Sequence, residues 1–308
     1  MTTTTNHGRH EIQPALTPDI WRPDRPLRFL GLTGARGCGK TKLLEWLLVI
    51  FGQTLFGFDS SKACDDLKED PDSKLGKELL RFEARRAKGE MYPCELVIRV
   101  YMHVIKKRLD AMKRGESVAC IGMAGAPRTK LQDELLQELS FILSLIHIET
   151  DSLRQVFIGM LRRNRGGEKR MDDNIESAVT NFDHYEKHIR PYARQMPRDR
   201  AVTVKFGDPL IEKVDASAEF IARVMGGEFV LAYREYMGVN NPLRVKIVEF
   251  EKANSGEIVL TPRMQEAVHE YERNRRKQEP EAKPASQPAR RLSQFASETY
   301  GSLMASQR

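Results

Sequence analysis

The chain is poor in aromatic residues and in cysteine, and it has no long apolar run. Aromatics make up 7% of its 308 residues, too little for a dedicated base-stacking surface. The four cysteines, Cys38, Cys64, Cys94 and Cys120, are dispersed and form no CxxC pair. That excludes a disulfide-dense secreted scaffold and gives no zinc-finger signal. No apolar stretch approaches the roughly 20 residues needed to span a bilayer. The Thr-rich start lacks the apolar stretch of a signal peptide, so a cytoplasmic protein that does not enter a membrane is expected. Charge is not strongly one-sided either: 50 Lys and Arg against 43 Asp and Glu leave +7. That excess permits phosphate-bearing partners without specifying one, because the field depends on where the charges sit. What is present is the composition of a folded chain, 40% hydrophobic and 30% charged, with enough apolar material for a core.

Short apolar runs alternate with segments of helical spacing. Residues 27–33, 54–58, 117–123 and 143–148 read as strands, and 211–214 as a candidate last strand. Helices are expected over 42–51, 75–88, 94–113, 130–139, 152–163, 173–196, 216–225 and 262–277. Strands separated by helices pair in parallel. The expected fold class is therefore α/β, a parallel β-sheet flanked by helices, over residues 27–225. Residues 1–26 read as a flexible N-terminal segment, 226–278 as a C-terminal extension whose 229–251 stretch has no clear period, and 279–308 as a flexible tail rich in Pro, Ala, Ser, Gln and Arg.

Gly34-Ala35-Arg36-Gly37-Cys38-Gly39-Lys40-Thr41 fits G-x-x-x-x-G-K-[ST] between an expected strand and an expected helix. Glycines let successive backbone N–H groups turn inward around phosphates. The helix that follows points its positive dipole end at the same anion. Lys40 reaches the β- and γ-phosphates, and the Thr41 hydroxyl is a ligand for Mg²⁺. These eight residues are the expected ATP-binding loop, in a P-loop NTPase fold.

Three further segments follow in order: Lys74-Leu75-Gly76-Lys77-Glu78-Leu79 with Gly89 to Val97; Gly125-Ala126-Pro127-Arg128-Thr129-Lys130-Leu131-Gln132; and Arg170-Met171-Asp172-Asp173-Asn174-Ile175-Glu176 with Tyr185. Together with the loop they resemble the adenylate kinase and nucleoside monophosphate kinase family, over residues 27–225. The resemblance implies small NMP-binding and lid subdomains, the lid of the short type. It implies that Arg128 clamps the acceptor phosphate, that Gln132 reads the acceptor base, and that Ser61 and Tyr92 lie on the NMP-binding side. Arg162 and Arg170 would converge on the transferred phosphate, held by Asp172. Each residue has a plainer reading: Arg128 as a helix cap or partner of Glu134, Gln132 as a surface residue, Arg162 as part of a solvated basic run, and Asp172 and Asp173 as negative charge at a helix start. For Asp173 that last reading is preferred.

The chain departs from the family at functional positions. Asp66 stands where the family has a second phosphate-clamping arginine, and Ala124 where it has an acidic residue that supports Mg²⁺. Asn181 and Ile158 replace two more arginines. The expected activity is transfer of the ATP γ-phosphoryl to a nucleoside monophosphate, with AMP the default acceptor and Mg²⁺ as cofactor. Two alternatives stay open: a catalytically weakened nucleotide-binding pseudokinase, and a P-loop kinase of another small molecule. A monomer is expected, with the C-terminal extension as a surface for a protein partner. Nucleic-acid binding is not expected, because Glu270, Glu272, Glu279 and Glu281 dilute the basic residues near the C-terminal end.

Overall fold

The computed structural model describes residues 28–111, 118–138, 142–165 and 173–278. The 1–26 segment, the 279–308 tail, most of the expected lid, Arg170 and Asp172 lie outside them. Strand β1 (Arg28–Gly34) is buried along nearly its whole length, as a strand covered on both faces should be. Helix α1 (Lys40–Phe51) follows it and buries Leu43, Leu44, Leu47 and Phe51 on one face. It stops at Gly52, whose φ of 54° lets its N–H turn back to the Leu48 carbonyl; such a conformation favours glycine.

Strands β2 (Leu55–Asp59), β3 (Cys120–Ala124), β4 (Ile142–Glu149) and β5 (Ala201–Lys205) complete a sheet of order β2-β3-β1-β4-β5, with every pair parallel. All five carboxyl ends therefore face one edge, the edge where open α/β sheets place their ligands. Helices α2 (Ser60–Glu69), α3 (Lys74–Leu80), α4 (Glu83–Ala87), α5 (Cys94–Asp110) and α6 (Lys130–Glu138) lie between β2 and β4 in the chain. After β4 come α7 (Leu153–Arg165), α8 (Ile175–His184), a π-helical turn (Tyr185–Ile189), α9 (Arg190–Gln195), α10 (Leu210–Met225), α11 (Glu228–Tyr236), α12 (Pro242–Asn254) and α13 (Pro262–Gln278). One core joins β1 to α1, α10, α11 and α12, with Leu47, Ile221, Phe229, Tyr236 and Ile247 in contact. A second joins Phe29 and Met123 to Leu67, Leu79, Tyr101 and Leu136 on α2, α3, α5 and α6. A third packs Val268 of α13 with Phe157 and Phe182 of α7 and α8.

Three elements differ from expectation. The last strand is β5, and residues 211–214 belong to α10. Pro209 stands just before α10, and Val214, Ala218 and Ile221 recur at helical spacing along its buried face; a four-residue apolar window looks alike in either structure. Residues 75–88 are two helices, broken at Arg81–Phe82, where Phe82 turns its ring edge-on to Tyr92 at 6.4 Å. The 173–196 helix contains the π turn, which buries Tyr185 and Ile189. Among the described residues no helix is long and apolar enough to cross a membrane.

Candidate functional site

The carboxyl end of β1 runs straight into the glycine loop, and packing dictates where its glycines fall. Gly34 has φ 149°, and a Cβ there would stand 2.5 Å from the Ile148 carbonyl oxygen on β4. Gly37, at φ 72°, lies so close to α7 that a Cβ on Gly159 would meet the Gly37 carbonyl oxygen at 2.1 Å. Gly39, at φ 92°, is the N-cap residue of α1 and has no side chain to occupy the first N–H groups of the helix. Those donors are left for an external acceptor.

Within this loop the Lys40 ammonium donates to the Gly34 and Ala35 carbonyls at 3.1 and 2.7 Å and touches Cys38 Sγ at 3.5 Å. Burial lowers its pKa below the usual lysine value, and Arg128 pushes the same way against Cys38 and Asp59. A buried cation whose direct hydrogen bonds go to carbonyl dipoles gains from an arriving anion. Arg36 turns its guanidinium toward the start of α8. It bonds Ser177 and Asp173, both at 2.9 Å, and so anchors the loop to the start of α8. The Asp173 side chain is fully buried, and Arg163 binds it too. It is thus an ion-pair hub, and Asn174, not Asp173, caps α8.

Thr41 sits one residue into α1 and donates its hydroxyl hydrogen to Asp59 Oδ2 at the end of β2. The other oxygen of Asp59 accepts from the Ser61 and Lys62 N–H groups at 2.8 and 3.0 Å and caps α2. Among the described residues no group of three or more His, Cys, Asp or Glu is arranged to hold a metal ion.

Beside this loop a small cavity of about 20 Å³, open to solvent on one side, lies between α2, the 91–92 turn and the start of α6. Ser61, Tyr92, Arg128 and Gln132 all line it, together with Arg86 and Cys64. Gly125, at φ 90°, leaves room for the Arg128 guanidinium, 3.1 Å from where a Cβ would stand. Arg128 Nε donates to the Gly125 carbonyl at 2.7 Å, and Nη1 lies 3.3 Å from Met91 Sδ. No described carboxylate pairs with it, so burial lowers its pKa. Arg86 stacks over the Tyr92 ring at 5.0 Å. The Tyr92 hydroxyl donates to Glu83 at 2.8 Å, and burial with that bond pushes its pKa up to about 12. Gln132 is buried, not on the surface. Its Oε1 accepts from the Arg128 N–H at 2.8 Å, and its own N–H donates to Thr129 Oγ1 at 3.2 Å. That is a reciprocal arrangement close to a capping box.

No family model and no curated protein matches the chain.

The remaining expected residues sort plainly. Arg162 is exposed on α7 and close enough to depress the pKa of Lys213, which burial lowers first. Asp66 is exposed and lines no part of the cavity, so it does not face an acceptor there. Ala124 is buried at the end of β3, in register with Asp59. Asn181 spends its amide on the Ser177 carbonyl at 2.7 Å, and Ile158 packs in the α7–α8 core. Sequence reasoning did not single out Asp59. Its only local signal is a carboxylate ending an apolar strand ahead of two serines.

Proposed function

We propose that this chain is a nucleoside monophosphate kinase-like phosphotransferase that moves the γ-phosphoryl group of ATP to a small acceptor carrying a phosphate, with AMP the default acceptor. The observation that carries the reading is the junction of two cationic sites at one sheet edge. Arg128 in the adjacent cavity lies close enough to depress the proton affinity of Lys40 in its glycine loop, and Asp59 acts on both cations. Phosphoryl transfer needs little acid or base; it needs two substrates held in line and positive charge around the moving group. The loop N–H groups and Lys40 would hold the donor phosphates. Arg128 would clamp the acceptor phosphate through its planar fork, with Arg86 in the role that Asp66 leaves open. Ser61, Tyr92 and Gln132 would bound the rest of the acceptor.

Thr41 and Asp59 offer hard oxygen atoms, which suit Mg²⁺. Because Mg²⁺ is commonly held by one or two protein oxygens plus substrate phosphates, no larger ligand group is required. Thr41 would hold it, and its chemistry there is to neutralise the charge on the donor phosphates.

Arg86 and Arg128 together favour a phosphate-bearing acceptor over a free sugar or polyol. The pseudokinase reading keeps one support: Asn181 and Ile158 bring no positive charge toward the loop. A coupled assay of ADP formation with AMP, CMP, UMP, GMP and the deoxynucleotides tests the proposal. Turnover above a Lys40→Met control with at least one acceptor is expected; none with any acceptor rejects it.

A further inference from the structure

At the edge where β2 and β3 end side by side, Asp59 and Ala124 are register partners. Ala124 contributes a methyl group, whereas Asp59 contributes a carboxylate whose Oδ2 takes the Thr41 hydroxyl hydrogen. A threonine hydroxyl has one hydrogen and two lone pairs. Once the hydrogen is committed to Asp59, what Thr41 still offers is its lone pairs, the part a cation binds. The carboxylate also adds negative charge behind that oxygen. Groups placed this way behind a metal ligand fix its orientation and raise its donor strength.

We infer that Asp59 is the positioning carboxylate for the divalent cation that accompanies ATP, taking from the neighbouring strand the place that Ala124 cannot fill. The inference rests on the donor-site reading above. It assigns Asp59 no contact with the reacting atoms; it acts through Thr41.

Calorimetry of ATP binding to the full chain tests this, with the metal removed by EDTA and with Mn²⁺ or Mg²⁺ present. The electron paramagnetic resonance signal of bound Mn²⁺ gives a second readout. Asp59→Asn keeps an oxygen for the α2 cap, since Asn caps helices as well as Asp, and a melting curve checks that the variant is folded. For Asp59→Asn, metal-free ATP affinity is expected to hold or rise, because a carboxylate near a triphosphate repels it. The tightening brought by the metal should shrink on the order of 10–100-fold. Ala124→Asp added to Asp59→Asn should restore part of it, since the two positions are adjacent across the ladder. Thr41→Val should lose the same tightening, and combining it with Asp59→Asn should add little. Full metal-dependent tightening in Asp59→Asn overturns the inference. So does equal loss of affinity with and without metal, which marks a purely structural role. Wild-type chain that binds ATP with no gain from metal overturns the inference alone; wild-type chain that binds no ATP overturns the donor-site reading with it.

Discussion

Replacing Arg86 with alanine separates an acceptor-phosphate clamp from a surface arginine. Arg86 lines the same cavity as Arg128 and stacks over Tyr92 at 5.0 Å. A phosphate between the two guanidinium groups would accept charge-assisted hydrogen bonds, each worth about 1.5–3 kcal/mol. Arg86 is only half-buried, so solvent screening favours the lower part of that range. At about 1.4 kcal/mol per tenfold, Arg86→Ala should weaken AMP binding about 10–30-fold. Isothermal calorimetry reads this without relying on turnover. ATP affinity should hold, and so should the affinity for adenosine, which has no phosphate to lose. Arg85, exposed and bound to Glu90 at 2.6 Å, is the control; Arg85→Ala should change AMP binding little. Asp66→Arg is a second control, because Asp66 lies outside the cavity. AMP affinity unmoved by Arg86→Ala, or weakened equally by Arg85→Ala, refutes the clamp. A large gain from Asp66→Arg would show that the acceptor sits elsewhere.

Other perturbations test the loop. Gly159→Ala puts a Cβ 2.1 Å from the Gly37 carbonyl oxygen; it should cost about 1–3 kcal/mol in chemical denaturation and weaken ATP binding by displacing the loop. Asp173→Ala removes the buried carboxylate that holds Arg36 and Arg163. Breaking this buried ion pair should cost about 3–5 kcal/mol, seen as a lowered melting temperature. Burial sets Lys40 below the ordinary lysine value of 10.5, so its charged form opposes folding below that lowered pKa, and the penalty fades as pH rises through it toward 10.5. ATP affinity should therefore begin to fall at a pH below 10.5, and Lys40→Met should bind ATP poorly yet melt higher than wild type at neutral pH; a lower melting temperature contradicts the burial cost.

The parts of the fold legible in the sequence are those whose signal is local. The apolar run of β1, its glycines and the leucines of α1 all sit within 24 residues of one another, and their reading matches the structure. β5 was not legible because Ala201–Lys205 is a short edge strand, mostly half-exposed, with a weak apolar pattern. The break between α3 and α4 comes from Phe82 turning inward to Tyr92, a tertiary contact. The site divides the same way. Gln132 was singled out by the family resemblance alone, and its capping role needed the α6 start. Asp59 meets Thr41 only because strand order puts the end of β2 beside β3 and near the loop, and neither residue announces that pairing. Arg81, Arg85 and Arg86 lie close together in the sequence with nothing to choose among them, and the cavity wall singles out Arg86.

The central claim is that this chain joins a donor loop to a phosphate-reading acceptor cavity. Incubating it with ATP labelled at the γ-phosphate, Mg²⁺ and AMP, then separating the products, tests this most directly. The account expects label in the β-phosphate of newly made ADP, absent with Lys40→Met and sharply reduced with Arg128→Ala. Label that stays in ATP, or appears only as inorganic phosphate whichever nucleoside monophosphate is supplied, would contradict it.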